Sequence, residues 1–235
     1  MSQVLLYLDV ETTGLEPEDR ICSLGLIVVD GEKVTSYTSV VKPPRKIKPE
    51  AMAIHHITNE MVKSASPINE DTVFKVLEKH NSDKNILVAH NISFELDMLS
   101  REGLIWNGGM IDTLRCSKHL IEEIEQFSLQ YLRYELGLYK EELARSSDCG
   151  VVLQAHNALS DAFHVKMLLE YLVEIEPVEE LMTLTMQPVL LKKLLFGKYK
   201  GHYLEELVFQ DAGYLNWLLN QEIDEDLSYS IKHYL

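Results

Sequence analysis

The chain has 235 residues, 46% of them hydrophobic and 25% charged, which predicts one well-buried domain with a small appendage and argues against a disordered protein. No stretch reaches the roughly 18 uninterrupted apolar residues of a membrane span, and Asp9 and Glu11 interrupt the region where a secretion signal would be apolar, so we expect a cytoplasmic protein without membrane association. The formal net charge of −15 opposes binding to a polyanion, unless carboxylate-bound cations or the basic clusters within 42–48 and 192–200 reverse the field locally.

The pattern along the chain predicts an α/β fold that begins with antiparallel strands. Apolar segments at 4–10, 21–29 and 34–41 have the composition of strands, and an Asp30-Gly31 turn joins the last two into a hairpin. Helices and buried strands then alternate. The segments expected there are a helix at 70–80, a strand at 86–89, a helix at 94–101, a short strand at 110–111, a helix from 112, a helix capped by Ser128 and a helix at 158–173.

Pro177 follows the last of these helices, and we place the end of the main domain there, at residues 1–176. Residues 177–186 are interpreted as a linker that contains a helix at 179–185. The remaining segment, 187–235, carries several aromatic residues of its own and is interpreted as a small accessory module.

Two carboxylates interrupt the first apolar strand. Asp9 and Glu11 lie two residues apart, so both side chains point to the same face of the strand. Two anions so close repel each other unless a cation lies between them or one carboxyl stays protonated. The pair therefore indicates a metal site, with a solvent-facing strand end as the alternative.

A third carboxylate, Asp161, falls on the apolar stripe of the helix at 158–173. A buried carboxylate needs a partner, and a hydrated divalent ion is one that several carboxylates can share. His156 precedes this helix by two residues and is expected in the loop before it. From there it can lean over the same site, although an ordinary surface histidine is the alternative.

The segment 90–95, His-Asn-Ile-Ser-Phe-Glu, directly follows the buried strand at 86–89. Ligand sites in open α/β sheets form beyond the carboxyl ends of strands, so Glu95 is placed to meet Asp9 and Glu11. The alternative is an ordinary helix start, with Ser93 as its N-cap.

Together these segments resemble the three motifs of the DnaQ-like, or DEDDh, exonuclease superfamily. Residues 8–15 (Leu-Asp-Val-Glu-Thr-Thr-Gly-Leu), 89–95 (Ala-His-Asn-Ile-Ser-Phe-Glu) and 156–161 (His-Asn-Ala-Leu-Ser-Asp) resemble the first, second and third motifs, in that order. The loop at 49–58 is also similar to the family's loop between the first two motifs. Within the superfamily the likeness is to enzymes of the exodeoxyribonuclease X type, which carry a similar loop and a C-terminal module with sequences like those at 196–201 and 211–219.

The resemblance implies a ribonuclease H-like mixed five-stranded sheet flanked by helices, with a small C-terminal module. It also implies 3′→5′ hydrolysis of DNA with Mg²⁺ or Mn²⁺ as cofactor. Two ions would be held by four acidic residues, with a histidine as the general base. The residues that match these roles are Asp9, Glu11, Glu95 and Asp161 as metal ligands and His156 as the base.

Glu95 departs from the family pattern, which has Asp at this position, and its side chain is one methylene longer. A site built for near-octahedral magnesium tolerates displaced oxygens poorly, so this departure puts the strength of the site in question. Asp97 is a weaker alternative, because two positions along a helix turn it about 200° away from Glu95.

The pocket for the terminal nucleotide is expected to include Thr12, Gly14 and Leu15, because glycine allows a close backbone approach and leucine offers an apolar surface to a base. Further candidates for this pocket are His55, Asn91 and Phe94. The expected partner is DNA with single-stranded or frayed 3′ ends, and no obligate protein partner is predicted. Alternatives that stay open are an RNase T-like or oligoribonuclease-like enzyme acting on RNA, a polymerase proofreading subunit, and a catalytically weak module that binds 3′ ends.

Overall fold

A computed structural model describes residues 3–121, 124 and 126–235. The chain divides into two compact units, Met1–Thr185 and Met186–Leu235. Within the described residues, no helix combines the length and apolar character needed to cross a membrane.

A five-stranded mixed sheet forms the centre of the first unit. Its strands, in chain order, are β1 (Val4–Thr12), β2 (Ile21–Asp30), β3 (Lys33–Val40), β4 (Ile86–Ala89) and β5 (Gly109–Asp112). The order across the sheet is β3-β2-β1-β4-β5. Strands β1 to β3 pair antiparallel, whereas β4 runs parallel to β1 and to β5. The predicted fold class, a mixed five-stranded sheet of the ribonuclease H-like type, is confirmed.

Helices cover both faces of this sheet. The α-helices of the first unit are α1 (Pro49–His55), α2 (Thr72–His80), α3 (Ile92–Arg101), α4 (Thr113–Leu120), α5 (Leu129–Glu135), α6 (Glu142–Asp148), α7 (Ala158–Val173) and α8 (Val178–Met186, which ends at the unit boundary). Single turns of 3₁₀ helix occur at Ile68–Glu70 and Leu138–Lys140. Strand β4 is buried along its whole length because both faces are covered, as expected for a parallel strand.

Side-chain alternation in β1 separates the two layers of the core. Leu6, Leu8 and Val10 pack into one apolar cluster together with α2 and α3. Tyr7 packs into the cluster on the opposite face, together with Phe163 and other apolar residues of α7. Since side chains alternate along a strand, Asp9 and Glu11 lie on the Tyr7 face, and β1 therefore directs both carboxylates toward α7.

Several predicted boundaries are confirmed, among them β4 and α7, which begin and end where the sequence indicated. Ser128 caps α5 as expected, accepting a hydrogen bond from the backbone N–H of Tyr131. Ser93 as an N-cap is wrong, since α3 begins at Ile92 after Asn91, whose φ of 75° is left-handed. Helices α1 and α6 were not predicted.

The helix predicted within the linker segment is confirmed as α8, and it packs within the first unit. In α8, Leu181 and Thr185 are buried, and the thiol of Cys116 lies 3.3 Å from the carbonyl oxygen of Leu181. A spacer role for residues 177–186 stays a prediction.

The second unit has its own apolar core. Its helices are α9 (Leu204–Leu218) and α10 (Glu225–Tyr234). Helix α9 is kinked at Asp211, whose side chain accepts hydrogen bonds from the backbone N–H of Tyr214 at 3.0 Å and from the hydroxyl of Tyr199 at 2.9 Å. Asp211 therefore acts as an internal N-cap that restarts the helix after the kink.

Candidate metal-binding active site

Three carboxylates from two distant parts of the chain converge at one end of β1. Asp9 and Glu11 extend from β1 and Asp161 from the first turn of α7, and one oxygen from each lies within 4.8 Å of the others. Regular pairing of β1 with β2 shifts between Glu11 and Thr12, so the strand changes course immediately after the second carboxylate. Carboxylate oxygens in such a group are the ligands that hard divalent cations prefer.

Burial and mutual repulsion both disfavour the ionised carboxylates of this cluster. Burial raises the pKa of Asp9 well above its ordinary value, and the charges of Asp161, Glu95 and Glu11 raise it further. Burial, followed by the charge of Asp161, raises the pKa of Glu11 to about 8. Without a cation, the protein thus holds protons or uncompensated negative charge at this site.

Glu95, the fourth predicted ligand, lies nearby but outside that group of three. It is only 4% exposed, and its Oε2 atom has no hydrogen-bond partner among the described residues. Burial raises its pKa, and its charge in turn raises the pKa of Asp9. A buried carboxylate oxygen without a partner fits a site that accepts a cation, so the donor set suits a divalent ion. Ligation by Glu95 stays a prediction.

Asp97 points away from the cluster. Its side chain is 53% exposed and lies 2.5 Å from the guanidinium of Arg101, one turn along α3. It is therefore a matched control for the buried Glu95 on the same helix.

His156 lies on the turn that leads into α7, as predicted. Its φ of 51° is left-handed, its side chain is exposed, and we find no hydrogen bond or ion pair of its ring to another described residue. The next residue, Asn157, caps α7 by accepting hydrogen bonds from the backbone N–H groups of Leu159 and Ser160. The histidine thus lies directly before the capped start of the helix that supplies Asp161, and its role as a base stays a prediction.

The loop after β1 is held by a buried carboxylate that the sequence analysis did not single out. Asp19 accepts hydrogen bonds from the Thr13 hydroxyl at 2.8 Å, the Glu16 backbone N–H at 2.8 Å and the Lys48 ammonium at 2.7 Å. Burial alone would raise the pKa of Asp19, but these bonds lower it to about 2. The carboxylate stays ionised and fixes the loop.

The predicted pocket residues follow from this loop. Thr12 is buried, and its hydroxyl donates to the carbonyl oxygen of Gly14 at 2.8 Å. Gly14 has a φ of 154°, and a Cβ there would lie 2.5 Å from Asp19 Oδ2, so only glycine fits. Leu15 is 78% exposed at the tip of the loop. An exposed apolar side chain can pack against a nucleobase. Contact of these residues with the terminal nucleotide stays a prediction.

The three further candidates for the nucleotide pocket differ in how far their side chains are already engaged by other parts of the protein. Both ring nitrogens of His55 are engaged, Nε2 with the carbonyl oxygen of Thr12 at 3.1 Å and Nδ1 with the backbone N–H of Ile57 at 3.0 Å. Its ring therefore supports the loop. Asn91 is exposed, whereas Phe94 is half-buried and packs against the core. Substrate binding by these three residues stays a prediction.

Gly25 determines how closely α7 approaches the sheet, and the sequence analysis missed it. It pairs with Asp9 across β1 and β2, and a Cβ at this position would overlap the backbone of Ala158 and Leu159. The missing side chain lets the first turn of α7 lie against β2 beside Asp9. A glycine inside an apolar strand pattern was the available signal, since it marks a close backbone approach.

We expect Gly25→Ala to displace the start of α7 and move Asp161 away from Asp9. Overpacking of this kind costs about 1–3 kcal/mol or more of stability, and nuclease activity should fall by more than the loss of folded protein explains. Thermal unfolding and activity per folded molecule measure the two effects. Gly213→Ala is the control, because a Cβ there meets only Asp211 Oδ1, at 3.5 Å. Wild-type stability and activity in Gly25→Ala would contradict the expected displacement.

The raised pKa values predict a fall in the stability of the metal-free protein as pH rises. The folded protein keeps protons on Asp9 and Glu11, whereas the unfolded chain releases them near the ordinary pKa values of 3.8 and 4.5. Stability is therefore lost as pH rises through the folded pKa, which is about 8 for Glu11. Unfolding in EDTA should therefore occur at a lower temperature at about pH 9 than at about pH 7. Glu11→Gln should reduce the dependence of the unfolding temperature on pH. If the unfolding temperature of the wild-type protein in EDTA stayed constant or rose with pH, repulsion in this cluster would not be the cause.

Comparison with known proteins agrees with this geometry. The family model described as Exonuclease matches residues 6–169, and the model described as Exodeoxyribonuclease X-like C-terminal matches residues 194–222. Exodeoxyribonuclease 10 of Escherichia coli strain K12 is 31% identical over 238 aligned positions, covering 99% of each chain. A PolC-type DNA polymerase III of Thermotoga petrophila is 35% identical over 142 positions, which cover 57% of this chain and 10% of the polymerase.

A solved structure of exonuclease X in complex with 5′-overhanging duplex DNA aligns with a TM-score of 0.58 and 26% identity, covering 77% of this chain and 99% of that one. The two family models and the full-length relative thus together cover this chain nearly from end to end. The chain belongs to the DnaQ-like exonuclease family, in the group whose members carry an exodeoxyribonuclease X-like C-terminal domain.

Proposed function

We propose that the protein removes nucleotides one at a time from the 3′ end of DNA, releasing nucleoside 5′-monophosphates in a reaction that depends on Mg²⁺ or Mn²⁺. The observation that carries this proposal is the convergence of Asp9, Glu11 and Asp161 to within 4.8 Å. DNA is favoured over RNA because the similarity to an exodeoxyribonuclease extends over the C-terminal domain as well as the exonuclease domain.

Four carboxylates would hold the ions, namely Asp9, Glu11 and Asp161 together with the buried, unpartnered Glu95. When bound, two divalent ions supply activation of a water and neutralisation of the charge that develops on the phosphate and the leaving 3′ oxygen. The cluster is partly buried, and its carboxylates repel one another when no cation is bound. Bound cations would compensate this negative charge.

The remaining roles belong to groups around the carboxylates. His156 takes the proton from the attacking water, for which an exposed imidazole just before the helix that carries Asp161 is suited. Thr12, Gly14 and Leu15 receive the terminal nucleotide: the glycine backbone allows close approach, and the exposed leucine packs against the base. His55, Asn91 and Phe94 complete the pocket. Single-stranded or frayed 3′ ends suit a site that takes one terminal nucleotide at a time.

A gel assay with matched substrates tests the proposal. The purified full chain is incubated with 5′-labelled single-stranded DNA, duplex DNA with a 3′ overhang, and RNA of the same sequence, in MgCl₂, MnCl₂ or EDTA. We expect the DNA to shorten in single-nucleotide steps from the 3′ end with either metal and to stay intact in EDTA. Preferential shortening of RNA would replace DNA by RNA as the substrate, and intact substrate under every condition would indicate a binding module.

A further inference from the structure

We propose that Gln130 is a positioning residue that orients the Asp161 carboxylate for metal binding, and that the Arg133–Glu142 ion pair holds Gln130 in place. This inference rests on the proposed function. It concerns residues outside the carboxylate cluster, on helices α5 and α6.

The first step is the contact between α5 and α7. The side-chain amide of Gln130 donates a hydrogen bond of 2.7 Å from Nε2 to Asp161 Oδ1. Because one oxygen of Asp161 is held in this way, the carboxylate cannot rotate freely about its Cβ–Cγ bond. A metal ligand fixed from outside the coordination sphere keeps its geometry and reduces the ordering needed when the ion binds.

The second step is the orientation of the Gln130 amide. The Arg133 guanidinium donates from Nη1 to Gln130 Oε1 at 2.9 Å. A guanidinium can only donate, so the amide oxygen must face Arg133 and the NH₂ group must face Asp161. Three residues apart on one helix, the two side chains meet on the same face of α5.

The third step is the support of Arg133. Its Nε and Nη2 atoms donate to the two carboxylate oxygens of Glu142 at 2.5 and 2.6 Å, a bidentate pair that fixes the guanidinium plane. His164 lies between the ends of this chain of contacts, with Nε2 at 3.5 Å from Glu142 Oε2 and Nδ1 at 3.6 Å from Asp161 Oδ1. Neither ring nitrogen of His164 has a hydrogen-bond partner among the described residues. The hydrogen-bonded chain therefore runs from Asp161 through Gln130 and Arg133 to Glu142.

The start of α5 is itself anchored to the sheet. His90, immediately after β4, places Nε2 at 2.8 Å from the carbonyl oxygen of Phe127 and Nδ1 at 3.0 Å from the Thr113 hydroxyl. Since a carbonyl oxygen can only accept, Nε2 carries the proton and donates to it. Gln130 therefore approaches Asp161 from a helix whose N-terminal end is held by the contact of His90 with Phe127 and by the Ser128 cap.

Calorimetric titration of the EDTA-treated full chain with MnCl₂ tests the role directly. Gln130→Met removes the amide but keeps an unbranched side chain of similar length, and we expect it to raise the Kd for Mn²⁺ about 10- to 100-fold, the usual effect of losing a group that orients a metal ligand. The activity at saturating metal should return to near the wild-type level. Glu135→Gln is the matched control, because Glu135 is exposed on the same helix.

Arg133→Lys is the second variant for the Mn²⁺ titration, because a lysine cannot form the bidentate pair with Glu142. If Arg133 acts through Gln130, the double variant should bind Mn²⁺ no more weakly than Gln130→Met alone. Thermal unfolding verifies that each variant folds. If Gln130→Met does not fold, the Kd of Arg133→Lys for Mn²⁺ is the test instead.

The possible failures are distinguishable. Wild-type protein that neither binds Mn²⁺ nor cleaves nucleic acid would overturn the proposed function. Active wild-type protein together with an unchanged Kd in Gln130→Met would overturn only the positioning role. Fully additive effects of the two substitutions would also overturn it, because Arg133 would then act independently of Gln130.

Discussion

Asp9→Asn is expected to reduce nuclease activity at least about 10³-fold, a loss of about 4 kcal/mol of transition-state stabilisation. Asp9 lies at the centre of the cluster, since burial raises its pKa and the charges of Asp161, Glu95 and Glu11 raise it further. An amide at this position removes one negative charge and one metal ligand. The metal-free variant should therefore be at least as stable as the wild-type protein, because the repulsion that opposes folding is reduced.

Two measurements on the same preparation check this expectation. Activity on single-stranded DNA should be lost, and the increase in unfolding temperature that Mn²⁺ gives to the wild-type protein should disappear. Asp97→Asn is the control, since Asp97 is exposed on α3 and pairs with Arg101. If Asp9→Asn lost stability in EDTA but kept its response to Mn²⁺, Asp9 would be a structural residue.

His156→Ala should lower the rate of hydrolysis about 10²- to 10⁴-fold, the usual contribution of a general base. Metal binding should be unchanged, because the ring of His156 has no hydrogen bond or ion pair within the described part of the chain and is not among the converging ligands. The substitution therefore separates catalysis from metal binding, which Asp9→Asn cannot do.

Single-turnover cleavage of labelled DNA together with Mn²⁺ titration measures these two properties. His233→Ala, at an exposed position in α10, controls for the general effect of removing a histidine. A rate within about threefold of wild type would assign proton transfer to another group, because a base is worth at least about 10²-fold. A weakened Kd for Mn²⁺ would place His156 among the ligands.

The fold could be predicted from the sequence because its strands and main helices carry strong local patterns. Strand β4 is a continuous apolar run, and α7 has a sustained helical periodicity of apolar residues, so both were located correctly. Helix α6 has no comparable pattern: its seven residues include two buried polar side chains, Glu142 and Ser146, whose burial depends on tertiary contacts. Local propensity contains no information about such contacts.

The carboxylate cluster was predictable for a related reason. Asp9 and Glu11 in an apolar strand, and Asp161 on the apolar stripe of α7, are unfavourable in isolation and so point to a shared cation. The residues that arrange these ligands carry much weaker signals in the sequence. Gly25 looks like any strand glycine until α7 is seen against it, and Gln130 looks like any polar helix residue until its amide is seen to meet Asp161.

The most direct measurement is anomalous diffraction from crystals of the full chain soaked in MnCl₂. The proposed function predicts manganese peaks among the carboxylate oxygens of Asp9, Glu11 and Asp161, with Glu95 turned toward them. The absence of manganese from this cluster, or its binding only elsewhere on the molecule, would contradict the claim that these carboxylates form the catalytic metal site.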